Sequence, residues 1–129
     1  MKQIFKLLAL ASLVVLLATG CRTAPVKNID NAPIEVSQKH SSGDIKKAIV
    51  RAGATLGWKM KSVKDGHIVG TLYLRDHVAV VDINYSKNSY SIKYKSSENL
   101  HYDGTTIHSN YNGWITNLNR SIQVQISTI

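Results

Sequence analysis

The sequence predicts an α+β domain: a single antiparallel four-stranded meander sheet with two helices on one face, in the order α-β-β-β-β-α. Three observations lead there. Apolar residues recur at helical spacing over 45–56 and again over 111–122. Between them, four segments carry their apolar residues with period two. Short turns separate those segments at lengths that keep the apolar residues on one side.

The first helix is expected to begin near Ser41 or Ser42. Ser41 and Asp44 have capping-box spacing, with Asp in place of the usual Glu. Ile45, Ala48, Ile49, Ala52 and Leu56 then share a face, while Lys46, Lys47 and Arg51 lie elsewhere. Gly57 suits a left-handed stop.

The four strands are expected at Trp58–Val63, His67–Leu74, His77–Tyr85 and Ser89–Ser96. A Lys64-Asp65-Gly66 loop, with Gly66 at the left-handed bulge position, places Met60 across from Gly70. Two-residue turns at Arg75-Asp76 and Lys87-Asn88 then pair Leu72 with Ala79 and Ile83 with Ile92. Asn88 tolerates a positive φ better than most residues. Gly70 would face the core opposite Val81, where a missing side chain admits close packing or, less simply, a bulge.

The last helix is expected from Ser109, with Tyr111, Trp114, Ile115, Leu118 and Ile122 along one stripe. Its other side is rich in asparagine, a poor helix former, so packing must hold it. Ile122, Val124 and Ile126 also alternate with polar residues. The expectation is helix to about Val124, with a strand tail as the alternative.

The amino end reads as a targeting segment. Met1–Lys6 carries two positive charges and no acid, and Leu7–Ala18 is apolar except for Ser12. As a helix that run reaches about 18 Å, short of a hydrocarbon core of roughly 30 Å, as in a secretory signal. Leu17-Ala18-Thr19-Gly20-Cys21 resembles the lipobox of bacterial lipoproteins. The resemblance covers only the first 21 residues, and Ala18 stands where leucine is most usual. It implies cleavage before Cys21, a thioether-linked diacylglyceryl group there, and often an amide-linked acyl chain. With Arg22 rather than Asp next, it implies the outer membrane, facing the periplasm, if the cell has two membranes. Cys21 is the sole cysteine, so no disulfide can form within the chain.

The organisation expected is a signal peptide over 1–20, a lipidated cysteine and flexible tether over 21–40, and one domain over 41–129. Arg22 to His40 is polar, contains Pro25 and Pro33, and shows only a short β-prone patch at Ile34-Glu35-Val36. Removing 1–20, with Lys2 and Lys6, lowers the formal net charge from +8 to +6. A basic surface suits nucleic acid, anionic headgroups or acidic polymers, and export makes nucleic acid the least suitable partner.

The chain is expected to be a non-enzymatic envelope lipoprotein without cofactor or metal, its domain binding an envelope protein, peptidoglycan or an anionic glycolipid. The sheet face away from the helices would show Val69, Thr71, Val78 and Val80 between lysines, with Asp82 opposite Lys93. Lys59, Lys61, Tyr73, Arg75, Lys93 and Lys95 are the binding candidates. The bland alternative is a solvated sheet face whose lysines discourage edge-to-edge aggregation. The same face could serve dimerisation.

A second alternative is a small hydrolase or ligand site on the 97–108 loop, which holds Ser97, His101, Asp103 and His108. Loops of that length are often functional, but no Gly-x-Ser-x-Gly elbow accompanies these residues, and Leu100, Tyr102 and Ile107 would instead pin the loop to the core. The histidines show no metal-site spacing.

The lipobox reading predicts that Cys21→Ser abolishes acyl labelling in a bacterial host and leaves the precursor uncleaved. Normal labelling and membrane retention of that variant would overturn it.

Overall fold

The structure is a computed structural model, and it describes residues 22–129. Cys21 and the rest of the targeting segment lie outside the described residues. The elements are β1 (Thr23–Pro25), β2 (Ile29–Pro33), α1 (Ser42–Thr55), β3 (Lys59–Lys64), β4 (His67–Leu74), β5 (His77–Tyr85), β6 (Ser89–Glu98), β7 (Thr106–His108) and α2 (Ser109–Ile126).

Local chemistry sets the bounds of α1. The Ser41 hydroxyl accepts from the Asp44 N–H, and the Asp44 carboxylate accepts from the Ser41 N–H at 2.9 Å, completing the capping box. Those hydrogen bonds favour the carboxylate and lower the Asp44 pKa, the backbone one foremost. Gly57 ends the turn at φ +87°, and the Gly53 carbonyl accepts from the Trp58 N–H at 2.9 Å. The chain thereby reverses into β3.

The central hairpins run in the expected phase. Met60 pairs with Gly70, Leu72 with Ala79, Ile83 with Ile92 and Asp82 with Lys93. Gly66 has φ +85°, as its turn requires. The expected three-residue loop is corrected, however: Lys64 pairs with His67 across a two-residue Asp65-Gly66 turn, and the extra residue Val63, in a bulge between Ser62 and Lys64, restores the phase in place of Gly66. Asn88 is not among the positive-φ residues; the Ser86 hydroxyl instead accepts from the N–H groups of Asn88 and Ser89 at 3.1 and 3.2 Å.

The sheet has five strands, in the order β2-β6-β5-β4-β3, and this corrects the expected four. The added strand comes from the segment expected to be a flexible tether. β2 pairs antiparallel with β6, Ile29 opposite Ile92 and Ala32 opposite Tyr90, with a bulge between. That bulge puts two residues, Asp30 and Asn31, opposite Ser91 alone, so the segment loses its period-two signature. β1 pairs with β7 in a separate two-stranded sheet, Thr23 opposite His108. Ile34 is buried, and its N–H donates to the Asn88 carbonyl at 2.9 Å. His40 lies 2.7 Å from the Lys87 carbonyl, which favours its charged form and raises its pKa. The folded unit therefore begins near Thr23 rather than residue 41.

Both helices contribute to one apolar cluster with the sheet. Ile45, Ala48, Ile49 and Ala52 of α1 meet Tyr111, Ile115, Leu118 and Ile122 of α2 over Ile68, Val81, Ile83 and Ile92. Each fully buried aliphatic side chain of this kind contributes roughly 1.5–3 kcal/mol, which holds the asparagine-rich α2 as a helix. The helix continues to Ile126, itself buried, so the strand tail is not formed.

Gly70 does admit close packing, but a side chain fills the space. The Met60 thioether lies where a Cβ on Gly70 would come within 3.1 Å of it. A Cβ on Gly53 of α1 would overlap the same thioether. Met60 is thus threaded between two glycines, one on the helix and one on the sheet.

Gly53→Ala is therefore expected to lower stability by about 1–3 kcal/mol through overpacking, despite roughly 1 kcal/mol of helix propensity gained. Denaturant unfolding should show that loss shrinking in a Met60→Ala background. An equal loss in both backgrounds would mean that Met60 is not the obstacle.

Candidate functional site

The uncovered face of the sheet follows from the same pleat that builds the core. Lys59 opposes Thr71, which opposes Val80; Lys61 opposes Val69, which opposes Asp82, which opposes Lys93. Tyr73 opposes Val78, which opposes Glu98. Val69, Thr71, Val78 and Val80 are half-buried by their neighbours, while Tyr73 is 60% exposed.

The charges on this face are not equivalent. Asp82 is shared: its carboxylate lies 2.7 Å from His67 Nε2 and 3.8 Å from Lys95 Nζ. Lys93 does not reach Asp82 but sits 3.5 Å from Asp30 of β2. The strand missed in the sequence thus supplies Lys93 with its acid and covers the β6 border. On the opposite border, Lys59 Nζ stands 5.2 Å from the Tyr73 ring centroid, a cation–π distance. Lys59, Lys61 and Arg75 make no ion pair among the described residues, and all three are exposed.

β3 is also an edge strand of the sheet, β2 being the other. Its outer N–H and C=O groups face away from the ladder, a template that another extended chain could pair with. Of the six binding candidates, Lys59, Lys61, Tyr73 and Arg75 gather along β3, β4 and the Arg75-Asp76 turn. Lys93 and Lys95 belong to a separate, internally paired border. Arg75 occupies the turn at φ +57°.

The 97–108 segment is shorter as a loop than expected, because β6 continues to Glu98 and β7 starts at Thr106. A bulge around Lys95 shifts the register, so Val80 meets Ser96 and Ala79 meets Ser97. Leu100 and Ile107 are buried and hold the loop to the core. Asp103 accepts from the Thr105 and Thr106 N–H groups at 2.9 and 2.7 Å and from the Thr106 hydroxyl at 2.9 Å. These bonds, the Thr106 N–H first, lower its pKa. His108 Nδ1 accepts from the Asn110 N–H at 3.1 Å, capping α2. Asp103 and His108 are thus engaged in shaping the loop and capping α2.

Two histidines of that segment, His101 and His108, gather with His77. The His77 and His108 ring centroids are 6.4 Å apart, and those of His101 and His108 are 6.5 Å apart. Trp114 lies 6.2 Å from His77. Among the described residues, no group of three or more His, Cys, Asp or Glu side chains is placed to hold a metal ion.

One surface feature escaped the sequence reading. A shallow groove of about 350 Å³ runs between the end of α1 and α2, with Leu56 and Val124 on its apolar side and Asn117, Arg120 and Gln125 on its polar side. Its only signal is that Leu56 and Val124, though apolar, are 40% and 56% exposed. A second buried oddity is Tyr111, whose hydroxyl has no hydrogen-bond partner among the described residues. Burial raises its pKa.

No family model matches the chain, and no curated protein or solved structure is detectably similar to it.

Asp103 is depressed by its loop bonds, so its contribution is complete above the ordinary carboxylate range and is lost as pH falls through the lowered folded value. Asp103→Ala should therefore speed amide exchange at Thr105 and Thr106 at neutral pH. The wild-type loop should loosen similarly only in strong acid. Unchanged exchange in the variant would show that the carboxylate does not shape the loop.

Proposed function

We propose that the chain is a lipid-anchored envelope lipoprotein, held through Cys21, whose domain binds an acidic partner in the envelope without catalysing a reaction. The anchor rests on the lipobox resemblance at Leu17–Cys21. The binding role rests on one observation: Lys59, Lys61 and Arg75 stand without carboxylate partners beside an apolar strip on an open sheet face, next to a free strand edge. Elsewhere on that face the lysines are already matched by acids. The polarity is thus arranged for something that lies along β3 and β4, where Tyr73 and the valines supply apolar contact and the cations supply orientation. An anionic glycan or an acidic extended segment of an envelope protein has that chemistry. Outer-membrane placement facing the periplasm follows from Arg22 after the cysteine, in a cell with two membranes.

Other uses of the site remain as outcomes of its test. Self-association through the same face would register as a doubled mass of the purified protein. A hydrolase or small-ligand role on the 97–108 loop has less support, since Asp103 and His108 are committed to turn and helix caps.

Each screened surface charge contact contributes about 0.5 kcal/mol, so three reversals should weaken binding by roughly tenfold. Photo-crosslinking in cells from position 71 should capture a partner in the wild type. Lys59→Glu, Lys61→Glu and Arg75→Glu together should reduce that capture, while Lys93→Glu alone should change it much less. Capture unaffected by the triple reversal would rule out this surface.

A further inference from the structure

We infer that the end of the domain formed by β1, β7, the 99–105 loop and the first turn of α2 sits in the headgroup layer of the bilayer that holds the Cys21 acyl chains. This rests on the lipidation reading and adds an orientation to it. The sequence suggested a tether of some twenty residues, which would let the domain tumble freely. The fold leaves almost none. Thr23 is already paired with His108, and the Arg22 carbonyl accepts from the Ser109 N–H at 3.0 Å. Val26 is tied in as well, its N–H donating to the Thr105 carbonyl at 3.1 Å.

Lengths decide the matter. Each residue spans at most about 3.6 Å, so Thr23 lies within roughly 7 Å of the Cys21 Cα. The interfacial layer of a leaflet is itself about 5–7 Å thick. The end of the domain that carries Thr23 cannot stand clear of it. The opposite end carries the β3–β4 and β5–β6 hairpins. Those lie about 30 Å further away, the length of the ten-residue β6.

The near end also has the side chains for such a layer. Tyr102 is 41% exposed and packs on Tyr94 with ring centroids 4.1 Å apart, so its ring is presented rather than loose. Leu74, at the end of β4, is 43% exposed, and Trp114 is half-buried against His77. Aromatic side chains with a polar tip are favoured at headgroup depth. Charge does not drive the contact: the same end carries Asp76, Glu98 and Asp103 as well as Arg22 and Arg75, with no ion pair between them among the described residues, so neither sign dominates it. The seating is therefore expected to be insensitive to the anionic lipid content of the membrane.

The test uses the full chain produced in a bacterial host and purified from its membranes, with intact mass reporting the acyl chains. Because Cys21 is the sole cysteine and its sulfur is then blocked, an introduced cysteine is the only free thiol. Tyr102→Cys and Thr105→Cys place a fluorophore at the near end; Asp65→Cys and Lys87→Cys place it at the far end. Each is reconstituted into phosphatidylcholine vesicles, with or without phosphatidylglycerol, containing a headgroup spin-labelled lipid. Quenching at 102 and 105 but not at 65 and 87, in both compositions, is the expected result. Acylated protein with no difference between the ends would overturn the orientation and leave the lipid anchor standing. Protein without acyl mass would remove both.

Discussion

Ile68, Leu72, Ala79, Val81, Ile83 and Ile92 can share one face only because three successive hairpins stay in phase. A slip of one residue at any turn would send a whole strand's apolar set into water and its lysines into the core. At the first hairpin Gly66 at positive φ makes the turn, while the bulge between Ser62 and Lys64 keeps that phase. Everything else in the molecule depends on it. The helices have an apolar floor to lie on, Met60 can thread between Gly53 and Gly70, and the opposite face collects Lys59, Lys61 and the valine strip.

The edges of that sheet are treated differently, and the proposed binding role follows from the difference. At one edge lies β2, short and bulged, which pairs with β6 and brings Asp30 to Lys93. The other edge strand, β3, pairs only with β4, and its lysines make no ion pair among the described residues. A cationic free edge resists pairing with a copy of itself through like-charge repulsion. It does not resist an acidic chain. On the proposed binding role, one arrangement would both protect the fold from aggregation and select the charge of a partner.

The segment after Cys21 changes meaning once it is seen paired. A polar stretch with two prolines reads as a spacer, yet β1 and β2 are held by backbone bonds to β7 and β6. A spacer would uncouple the domain from its proposed anchor. A strand beginning at Thr23 couples them, so on that reading the open face would stand upright on the membrane with Tyr73 and Arg75 at its foot.

The meander, both helices and the core face were legible in the sequence, because pleat and helix periodicities are local and the turns between them are short. Lys59, Lys61 and Tyr73 could be put on one face for the same reason, whereas Arg75 falls in the turn after β4. Two things could not be read locally. β2 carries a bulge between Ile29 and Ala32 and is stabilised by β6, some sixty residues later in the chain; its pattern is irregular and its partner distant. The pairing state of each lysine depends on that same contact, since Asp30 reaches Lys93 only across the added strand. Local sequence determined which side each residue faces, whereas the tertiary fold decided which charges remained free, because an ion pair depends on distance in space and not on spacing along the chain.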